Sequence, residues 1–276
     1  MEYRIARPED YPVLCQLWQD VFGDSQEFAL TALKNFIGPE GIYVAADENG
    51  PVAQLGAAPV TLQGRRGAYF YALATRPDCR GRGLMHGLIE YACQQLLLSG
   101  HSFACLIPAG PSLFDFYAEQ GFVKAFPLRE FTVPIRHNLW AQAEFDTVTA
   151  KALLQLREQF VPNSLTFDLQ RISELLRDLY TGGVTTVTTP EGYGLYFVKG
   201  ETLRFIELFA KSDRDAENLL EAAREKERAE EAQITLGAAQ SLFMGAGEEK
   251  DYGMIRFLAQ PFDVSESYMR LMLDEV

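Results

Sequence analysis

A strand, a glycine turn and a helix follow one another within residues 69–98, and this order is the strongest constraint on the fold. The apolar, aromatic-rich run from Tyr69 to Thr75 predicts a short buried strand, which Pro77 ends. Arg80-Gly81-Arg82-Gly83 precedes an amphipathic helix over about 83–98. The first turn of a helix has N–H groups without intrahelical partners and carries partial positive charge. The sequence therefore predicts an anion site at this junction.

The residues of the turn favour a diphosphate as the anion. Because Gly81 and Gly83 have no side chain, phosphate oxygens can approach the backbone closely, and Arg80 and Arg82 add full positive charges. The alternative is a plain strand–helix connection with solvated arginines. The turn is not the dinucleotide-binding fingerprint, because His86 stands where that motif has its third glycine. It is not a Walker loop either, because no Gly-Lys-Ser/Thr follows.

Composition limits the class of protein. A chain of 276 residues with 47% hydrophobic and 23% charged residues is typical of a soluble protein with one large or two ordinary domains. We find no apolar run long enough to span a membrane and no signal peptide, so we expect a cytoplasmic protein without a membrane partner. Four cysteines and three histidines lack the spacing of ligands, so no metal site is predicted.

Charge argues against one class of partner and favours another. The net charge of −13 would repel a nucleic-acid backbone, so nucleic-acid binding is not expected. Acidic residues are in greater excess in the second half of the chain, which weakly favours a cationic substrate. Against this background Arg76, Arg80 and Arg82 stand together on one loop, which supports a bound anion.

Two separated segments resemble the GNAT N-acetyltransferase superfamily. Leu73-Ala74-Thr75-Arg76-Pro77 followed by Arg80-Gly81-Arg82-Gly83-Leu84-Met85 is similar to its acyl-CoA-binding motif, Arg/Gln-x-x-Gly-x-Gly/Ala after a strand end. Met85 departs from the final small residue of that motif. Further on, Phe116-Tyr117 with Gly121-Phe122 resembles the segment Phe-Tyr-x-x-x-Gly-Phe, whose tyrosine lies near the thioester sulfur.

This resemblance implies a fold, a co-substrate and a set of site residues. The fold is α/β (α+β in some schemes), a mixed, mostly antiparallel sheet flanked by helices. Acetyl-CoA is the implied co-substrate, and Tyr117 the implied general acid that protonates the departing thiolate. The implied acyl-CoA-binding residues are Leu73, Ala74, Thr75, Arg80, Gly81, Arg82, Gly83, Leu84 and Met85.

The second half repeats the order of elements of the first half, which predicts a tandem GNAT-like protein. We place a catalytic domain at 1–134, a junction at 135–146 and a degenerate GNAT-like domain at 147–276, with a last helix at about 265–274. Acidic residues follow Ser212 where the first half has its glycine turn, so this copy is expected to have lost CoA binding. The two-part layout is similar to that of the enhanced-intracellular-survival type acetyltransferases. An unrelated α+β domain is the alternative for the second half.

The expected function is transfer of an acetyl or other acyl group from acetyl-CoA to a primary amine of a small molecule or peptide. The alternative is an inactive acyl-CoA-binding or regulatory protein of the same fold. The attacking ammonium must first lose a proton, yet the strand over 68–75 has no carboxylate to accept it. The general base therefore stays open. Its candidates are Asp20, Asp24, Glu27, Glu119, the terminal Glu275-Val276, another carboxylate of the second half, and a water relay.

Overall fold

The computed structural model describes residues 1–270 and divides the chain into two compact units. The first unit contains Met1–Lys124, Thr166–Arg171 and Gly253–Asp263. The second contains Ala125–Leu165, Ile172–Tyr252 and the chain from Val264 on. Each unit therefore includes chain segments from both halves of the sequence.

The described residues form seven α-helices and thirteen strands, together with short 3-10 and π-helical turns. The helices are α1 (Tyr11–Phe22), α2 (Gln26–Thr31), α3 (Leu84–Leu98), α4 (Pro111–Ala118), α5 (Ala150–Phe160), α6 (Leu169–Thr181) and α7 (Asp213–Glu227). The strands are β1 (Glu2–Ile5), β2 (Ile42–Asp47), β3 (Gly50–Leu62), β4 (Arg65–Thr75), β5 (Phe103–Leu106), β6 (Val123–Ala125), β7 (Leu128–Pro134), β8 (Thr185–Thr189), β9 (Gly192–Lys199), β10 (Thr202–Ala210), β11 (Glu231–Gly237), β12 (Glu248–Lys250) and β13 (Gly253–Phe257).

The sheet of the first unit has the order β1-β2-β3-β4-β5-β13-β6. Strands β1 to β4 pair antiparallel in sequence, β4 and β5 pair parallel, and β5 and β13 pair antiparallel. The parallel pair requires a crossover connection, which α3 supplies with an apolar face of Leu88, Ile89, Ala92 and Leu96. These side chains join the hydrophobic core of this unit, so the predicted strand–turn–helix is confirmed.

The sheet of the second unit has the order β12-β7-β11-β10-β9-β8. Only β10 and β11 pair in parallel, and α7 crosses between them with Ala216, Leu219 and Ala223 in the core. Antiparallel pairs join β8 to β9, β9 to β10, and β7 to both β11 and β12. Two mostly antiparallel sheets, each with one parallel pair bridged by a helix, confirm the predicted fold class and its tandem arrangement.

The partners of two strands could not be read from the sequence. The extended run over 122–134 separates into β6, which joins the first sheet, and β7, which lies between β11 and β12 in the second sheet. Near the end of the chain, β13 lies between β5 and β6 in the first sheet. Each sheet thus contains one strand, β13 in the first and β7 in the second, that is separated along the chain from its neighbours in that sheet.

Helix α7 ends at Glu227, because Arg228 adopts a left-handed conformation with φ 59° and its N–H bonds to the carbonyl of Arg224. The prediction of a last helix was wrong over the residues that the structure describes. In the last predicted helix, 265–270 are not helical; Ser267 bonds to the carbonyl of Val264, and Tyr268 forms a bridge with Ser164. The remainder of that prediction lies outside the described residues.

A bulge interrupts β4 shortly before the predicted anion site. The antiparallel register of β3 and β4 shifts between Gln54, opposite Ala74, and Gly56, opposite Tyr71. Two residues of β4, Ala72 and Leu73, therefore oppose one of β3, and Ala72 has a positive φ of 53°. A bulge bends a strand and increases its twist, so β4 changes direction here.

A buried ion pair lies in the second unit. Arg157 on α5 is 2% exposed, and its Nη2 donates to Oε1 of the fully buried Glu207 on β10 at 2.8 Å and to the carbonyl of Arg270 at 3.0 Å. Burial would lower the pKa of Arg157, but the charge and hydrogen bond of Glu207, together with nearby Tyr193 and Tyr268, outweigh that effect and raise it. Arg157 therefore keeps its charge inside the core.

Among the described helices we find none long and apolar enough to cross a membrane.

We expect Arg157→Met to lower the melting temperature of the full chain strongly, because it leaves the Glu207 carboxylate buried without its partner. Removal of one member of a buried pair typically destabilises by about 3–5 kcal/mol. Differential scanning calorimetry would measure the change, with the exposed Lys151→Met on the same helix as control. Equal melting temperatures for the two variants would contradict a stabilising role of the pair.

The bulge predicts opposite tolerance for two substitutions at Ala72. A β-branched side chain is strained at positive φ, so Ala72→Val should lower the melting temperature, whereas glycine adopts this conformation freely. Ala72→Gly should therefore stay within about 1 kcal/mol of the parent. Thermal unfolding of both variants checks this, and a valine variant as stable as the glycine variant would exclude a left-handed residue at this position.

Candidate active site

Strands β4 and β5 separate at the centre of the first sheet. Their parallel ladder pairs Gly67 with Phe103, Ala68 with Ala104 and Tyr69 with Cys105, and in the described chain it ends there. Strand β4 runs on to Thr75 through the bulge, whereas β5 remains paired to β13 up to Leu106. The two strands therefore diverge just beyond Tyr69. Beyond this point the backbone of β4 is no longer paired with β5.

The loop from β4 to α3 forms a concave backbone surface. A 3-10 turn, Pro77–Cys79, is followed by Arg80 in an extended conformation, and Gly81 and Gly83 both have a φ of 72°. Gly83 is the N-cap of α3, and no side chain caps this helix end. A Cβ atom added to either glycine would meet no atom within 4 Å. The Cβ side of both glycines is therefore open and no side chain caps the helix, as an anion site at this helix end requires.

The three arginines of this loop are not equivalent. Arg76 donates to both carboxylate oxygens of Asp78, at 2.7 and 3.1 Å, and this contact lowers the pKa of the Asp78 carboxyl group. Arg80 donates instead to the carbonyl of Thr75 at 3.1 Å, and Arg82 to the carbonyl of Asp78 at 2.8 Å. A carbonyl group carries no net charge, so these two hydrogen bonds do not neutralise the guanidinium groups of Arg80 and Arg82. The positive charge of the loop therefore resides mainly on these two exposed side chains.

The apolar residues predicted for the site contact the hydrophobic core. Leu73, Leu84 and Met85 are half-buried and pack against the hydrophobic core of the first unit. Met85, which departs from the small residue of the resembled motif, thus has contacts in the core. Ala74 is buried, and Thr75 is half-buried with its carbonyl bonded to Arg80.

Tyr117 lies on α4 inside an aromatic group. Its ring centroid is 5.1 Å from that of Phe116 and 5.9 Å from that of Phe122, and its side chain belongs to the core that also contains Phe70 and Leu106. Burial raises the pKa of the phenol to about 12, so Tyr117 is neutral and able to donate a proton throughout the physiological range. The structure thus places Tyr117 in one core with residues of both diverging strands.

The candidate bases have different surroundings. Asp24, in the loop between α1 and α2, accepts a hydrogen bond from Trp18 Nε1 at 2.8 Å, and the Trp18 ring lies 5.6 Å from that of Tyr71. Asp20 accepts from Gln16 Nε2 at 2.8 Å. Glu27 and Glu119 are exposed. The terminal pair Glu275-Val276 lies outside the described residues. Asp24 is thus linked through the Trp18 ring to Tyr71, the residue that precedes the bulge.

Three contributions to this site escaped the sequence analysis. Ala72 at positive φ carries no sequence signal, because alanine rarely adopts that conformation. The link from Trp18 to Tyr71 depends on contacts between distant elements. The neutralising role of Asp78 had a signal in its spacing, since it stands two residues after Arg76 and can fold back onto it.

The equivalent place in the second unit differs in its chemistry. Only Lys211 and Ser212 separate β10 from α7, and Ser212 Oγ accepts from the amide of Asp215 and so caps the helix. Asp213 and Asp215 lie in the first turn, and Asp213 accepts from the amide of Phe243 at 2.8 Å. This helix end is capped by its own side chain and already carries negative charge.

Within residues 1–270, no three histidine, cysteine or carboxylate side chains are grouped so that they could hold a metal ion. The four cysteines are buried free thiols.

Comparison with known proteins identifies the first unit. Residues 2–125 match the family model described as an acetyltransferase (GNAT) domain. A search of curated proteins found no match. Among solved structures, the fold is similar to a GCN5-related N-acetyltransferase from Anabaena variabilis, with 20% identity and a TM-score of 0.71 over 93% of this chain and 72% of the other. Eis1 from Mycobacterium abscessus aligns over 94% of this chain and 74% of its own, with 13% identity and a TM-score of 0.69.

At these low identities the solved structures show similarity of fold over both units. The family model shows which family the first unit matches. The divergent β4–β5 pair, the uncapped glycine loop and the buried tyrosine lie within residues 2–125. Residues 2–125 therefore form a GNAT acetyltransferase domain, and over both units the fold is similar to that of solved N-acetyltransferases.

Proposed function

We propose that this protein transfers an acetyl group from acetyl-CoA to a primary amine. The observation that carries the proposal is the separation of β4 from β5 beyond Tyr69 and Cys105, next to the uncapped N-terminus of α3. An extended thioester can enter such an opening with its diphosphate at the helix end. Acetyl-CoA supplies an activated carbonyl carbon whose leaving group is a thiolate.

The glycine loop would hold the diphosphate. The amides of Gly81 to Met85 offer donors at the positive end of the α3 dipole, and the glycines leave room for phosphate oxygens. Arg80 and Arg82 supply the charge, because Arg76 is paired with Asp78. The electrostatic part of CoA affinity would therefore come from Arg80 and Arg82 and not from Arg76.

Backbone groups of β4 would bind the pantetheine arm and the carbonyl. Beyond Tyr69 this strand has lost its ladder to β5, so groups around Leu73, Ala74 and Thr75 are candidates to hydrogen-bond the ligand. An N–H aimed at the thioester oxygen would stabilise the negative charge that develops as the amine attacks. The bulge at Ala72 turns the strand at this point and so sets the direction of those groups.

Tyr117 and a carboxylate would handle the two protons. The amine nitrogen attacks the carbonyl carbon, the carbon–sulfur bond breaks, and the phenol of Tyr117 donates a proton to the departing sulfur. The nitrogen, which is positively charged after the attack, then loses a proton to give the amide, and this proton restores the phenol. The ammonium proton of the acceptor passes to a base before the attack. We propose Asp24 for this role, directly or through water, since it accepts a hydrogen bond from Trp18, whose ring lies against that of Tyr71.

The remaining parts of the proposal concern the second unit, the acceptor and the location. We propose that the second unit does not bind CoA, on the grounds of its short loop, capped helix and acidic first turn. The excess of acidic residues in the chain favours a cationic acceptor. The four free cysteines are in keeping with a cytoplasmic location.

Replacement of both loop arginines should weaken CoA binding. We expect Arg80→Ala with Arg82→Ala to raise the dissociation constant for CoA at least tenfold, because charge-assisted hydrogen bonds each contribute about 1.5–3 kcal/mol. Isothermal titration calorimetry measures this, and Arg7→Ala, an exposed arginine of the same unit, is the matched control. If the double variant binds CoA as the parent does, the loop is not the diphosphate site. Should the parent itself bind no CoA, the proposed activity is excluded.

Removal of the Tyr117 hydroxyl should slow turnover while CoA affinity is kept. We expect Tyr117→Phe to reduce kcat about 10²-fold or more, as loss of a general acid does. Since the phenol loses its proton only near pH 12, the parent should show no loss of kcat from this group up to about pH 10. Release of free thiol with a panel of primary amines provides the readout. Phe116→Leu is the neighbouring control, and equal kcat in parent and Tyr117→Phe would remove Tyr117 from the mechanism.

A further inference from the structure

Strands β10 and β11 of the second unit separate after a short parallel ladder. In the described chain this ladder ends at the pair Phe205–Ile234. Strand β10 then continues to Ala210 while it stays paired with β9, and β11 continues to Gly237 while it stays paired with β7. Over these last residues each strand is therefore paired on its outer side, and the facing sides of β10 and β11 are not paired with each other.

The side chain of Gln240 bridges the two separated strands. Its Nε2 donates to the carbonyl of Leu208 on β10 at 2.7 Å, and its Oε1 accepts from the N–H of Gly237 on β11 at 2.9 Å. The carboxamide thus donates to one strand and accepts from the other. A trans secondary amide has its N–H and its carbonyl on opposite sides, so it can make the same two bonds. Gln240 therefore occupies a slot whose hydrogen-bonding groups match an amide.

The segment that carries Gln240 is fixed to the second unit. We call this segment, residues 238–247 between β11 and β12, the strap. The buried Arg129 on β7 donates to four carbonyls of the strap, at distances from 2.6 to 3.3 Å. These carbonyls belong to Gln240, Leu242, Phe243 and Ala246. The N–H of Phe243 also donates to Asp213 at the start of α7, at 2.8 Å. The strap therefore holds the Gln240 carboxamide in a defined position.

The corresponding place in the first unit has a different use in the proposed reaction. There β4 and β5 separate beyond Tyr69 and Cys105, and the pantetheine arm of acetyl-CoA, a chain with secondary amides, would bind along β4. After β5 the first unit continues into α4 with Tyr117, whereas after β11 the second unit continues into the strap. A side-chain amide of the second unit thus stands where the first unit would bind the amides of a ligand.

We propose that the second unit contains an amide-binding slot between β10 and β11, which the chain fills with its own Gln240. The slot selects a trans amide, because it needs one donor for the Leu208 carbonyl and one acceptor for the Gly237 N–H. Leu208 and Gly237 are buried, so these backbone groups would lack partners without an amide between them. Every contact lies within the second unit, so the proposal does not depend on CoA binding or catalysis in the first unit.

Two variants of the full chain distinguish the slot from the strap that closes it. Gln240→Ala removes the carboxamide and leaves room for a small molecule, whereas Gln240→Met removes both hydrogen bonds and fills the room. Both variants should melt at a lower temperature than the parent, because the Leu208 carbonyl and the Gly237 N–H lose their partner. Gln159→Ala, an exposed glutamine of the same unit, is the matched control and should melt as the parent does.

Two small amides are the probes of the slot. N-methylacetamide has a donor and an acceptor in the trans arrangement, whereas N,N-dimethylacetamide has no N–H. At ~100 mM, N-methylacetamide should raise the melting temperature of Gln240→Ala by about 2 °C or more relative to its effect on the parent, since it binds the folded state. N,N-dimethylacetamide should give no such difference, and Gln240→Met should respond to both probes as the parent does. Equal effects of the two probes on Gln240→Ala, or equal effects of N-methylacetamide on the two variants, would overturn the proposal.

Hydrogen exchange provides a measurement on the parent that needs no variant. The N–H of Gly237 should exchange as slowly as that of Ile234 in the ladder, because the Gln240 carboxamide holds it. The N–H of the exposed Gly245 in the strap gives the rate of an accessible amide. If the Gly237 N–H exchanges as fast as that of Gly245, the slot is not filled by Gln240 and the proposal is rejected, even where both variants fail to fold.

Discussion

The parallel contact between β4 and β5 is the constraint on which the first unit depends. It lasts for three residue pairs, from Gly67–Phe103 to Tyr69–Cys105. Phe103 packs so closely over Gly67 that an added Cβ would lie 2.3 Å from its ring, so a side chain larger than hydrogen is excluded at the start of the ladder. Beyond Tyr69 the bulge at Ala72 bends β4 while β5 stays paired with β13. A short, tightly packed ladder is thus followed by divergence of the two strands.

The second unit has the same parallel pair bridged by a helix, but different residues at the start of that helix. Strands β10 and β11 pair in parallel over Thr202–Phe205, and a register shift follows between Phe205 and Glu207, as the shift in β4 follows Tyr69. The connection to the following helix, however, has shrunk to Lys211 and Ser212, and the helix end is satisfied by its own side chains. The framework depends on apolar contacts that many sequences can supply, whereas an anion site depends on a few specific residues. This contrast supports the proposal that one unit binds CoA and the other does not.

Each sheet is completed by a strand from a distant part of the chain, and this exchange has a physical reason. Strand β7 lies between β11 and β12, and β13 lies between β5 and β6. An antiparallel strand needs an edge with unpaired backbone groups and a matching apolar pattern, and both sheets offer such an edge beside their parallel pair. Nothing in the local sequence of β7 or β13 distinguishes the two edges. The assignment is made by chain connectivity and long-range packing.

The sequence by itself determined the elements and the chemistry of the glycine loop. The apolar, aromatic-rich run predicted β4, helical periodicity predicted α3, and glycines at 81 and 83 predicted a turn with room for an anion, because these preferences act over a few neighbouring residues. Only the tertiary structure decided which loop arginine is paired with a carboxylate and where β7 and β13 pair. It also decided that Ala72 adopts a left-handed conformation and that Arg157 and Glu207 meet in the core. Those features depend on contacts between residues far apart in the chain, and the pattern along the sequence carries no record of such distances.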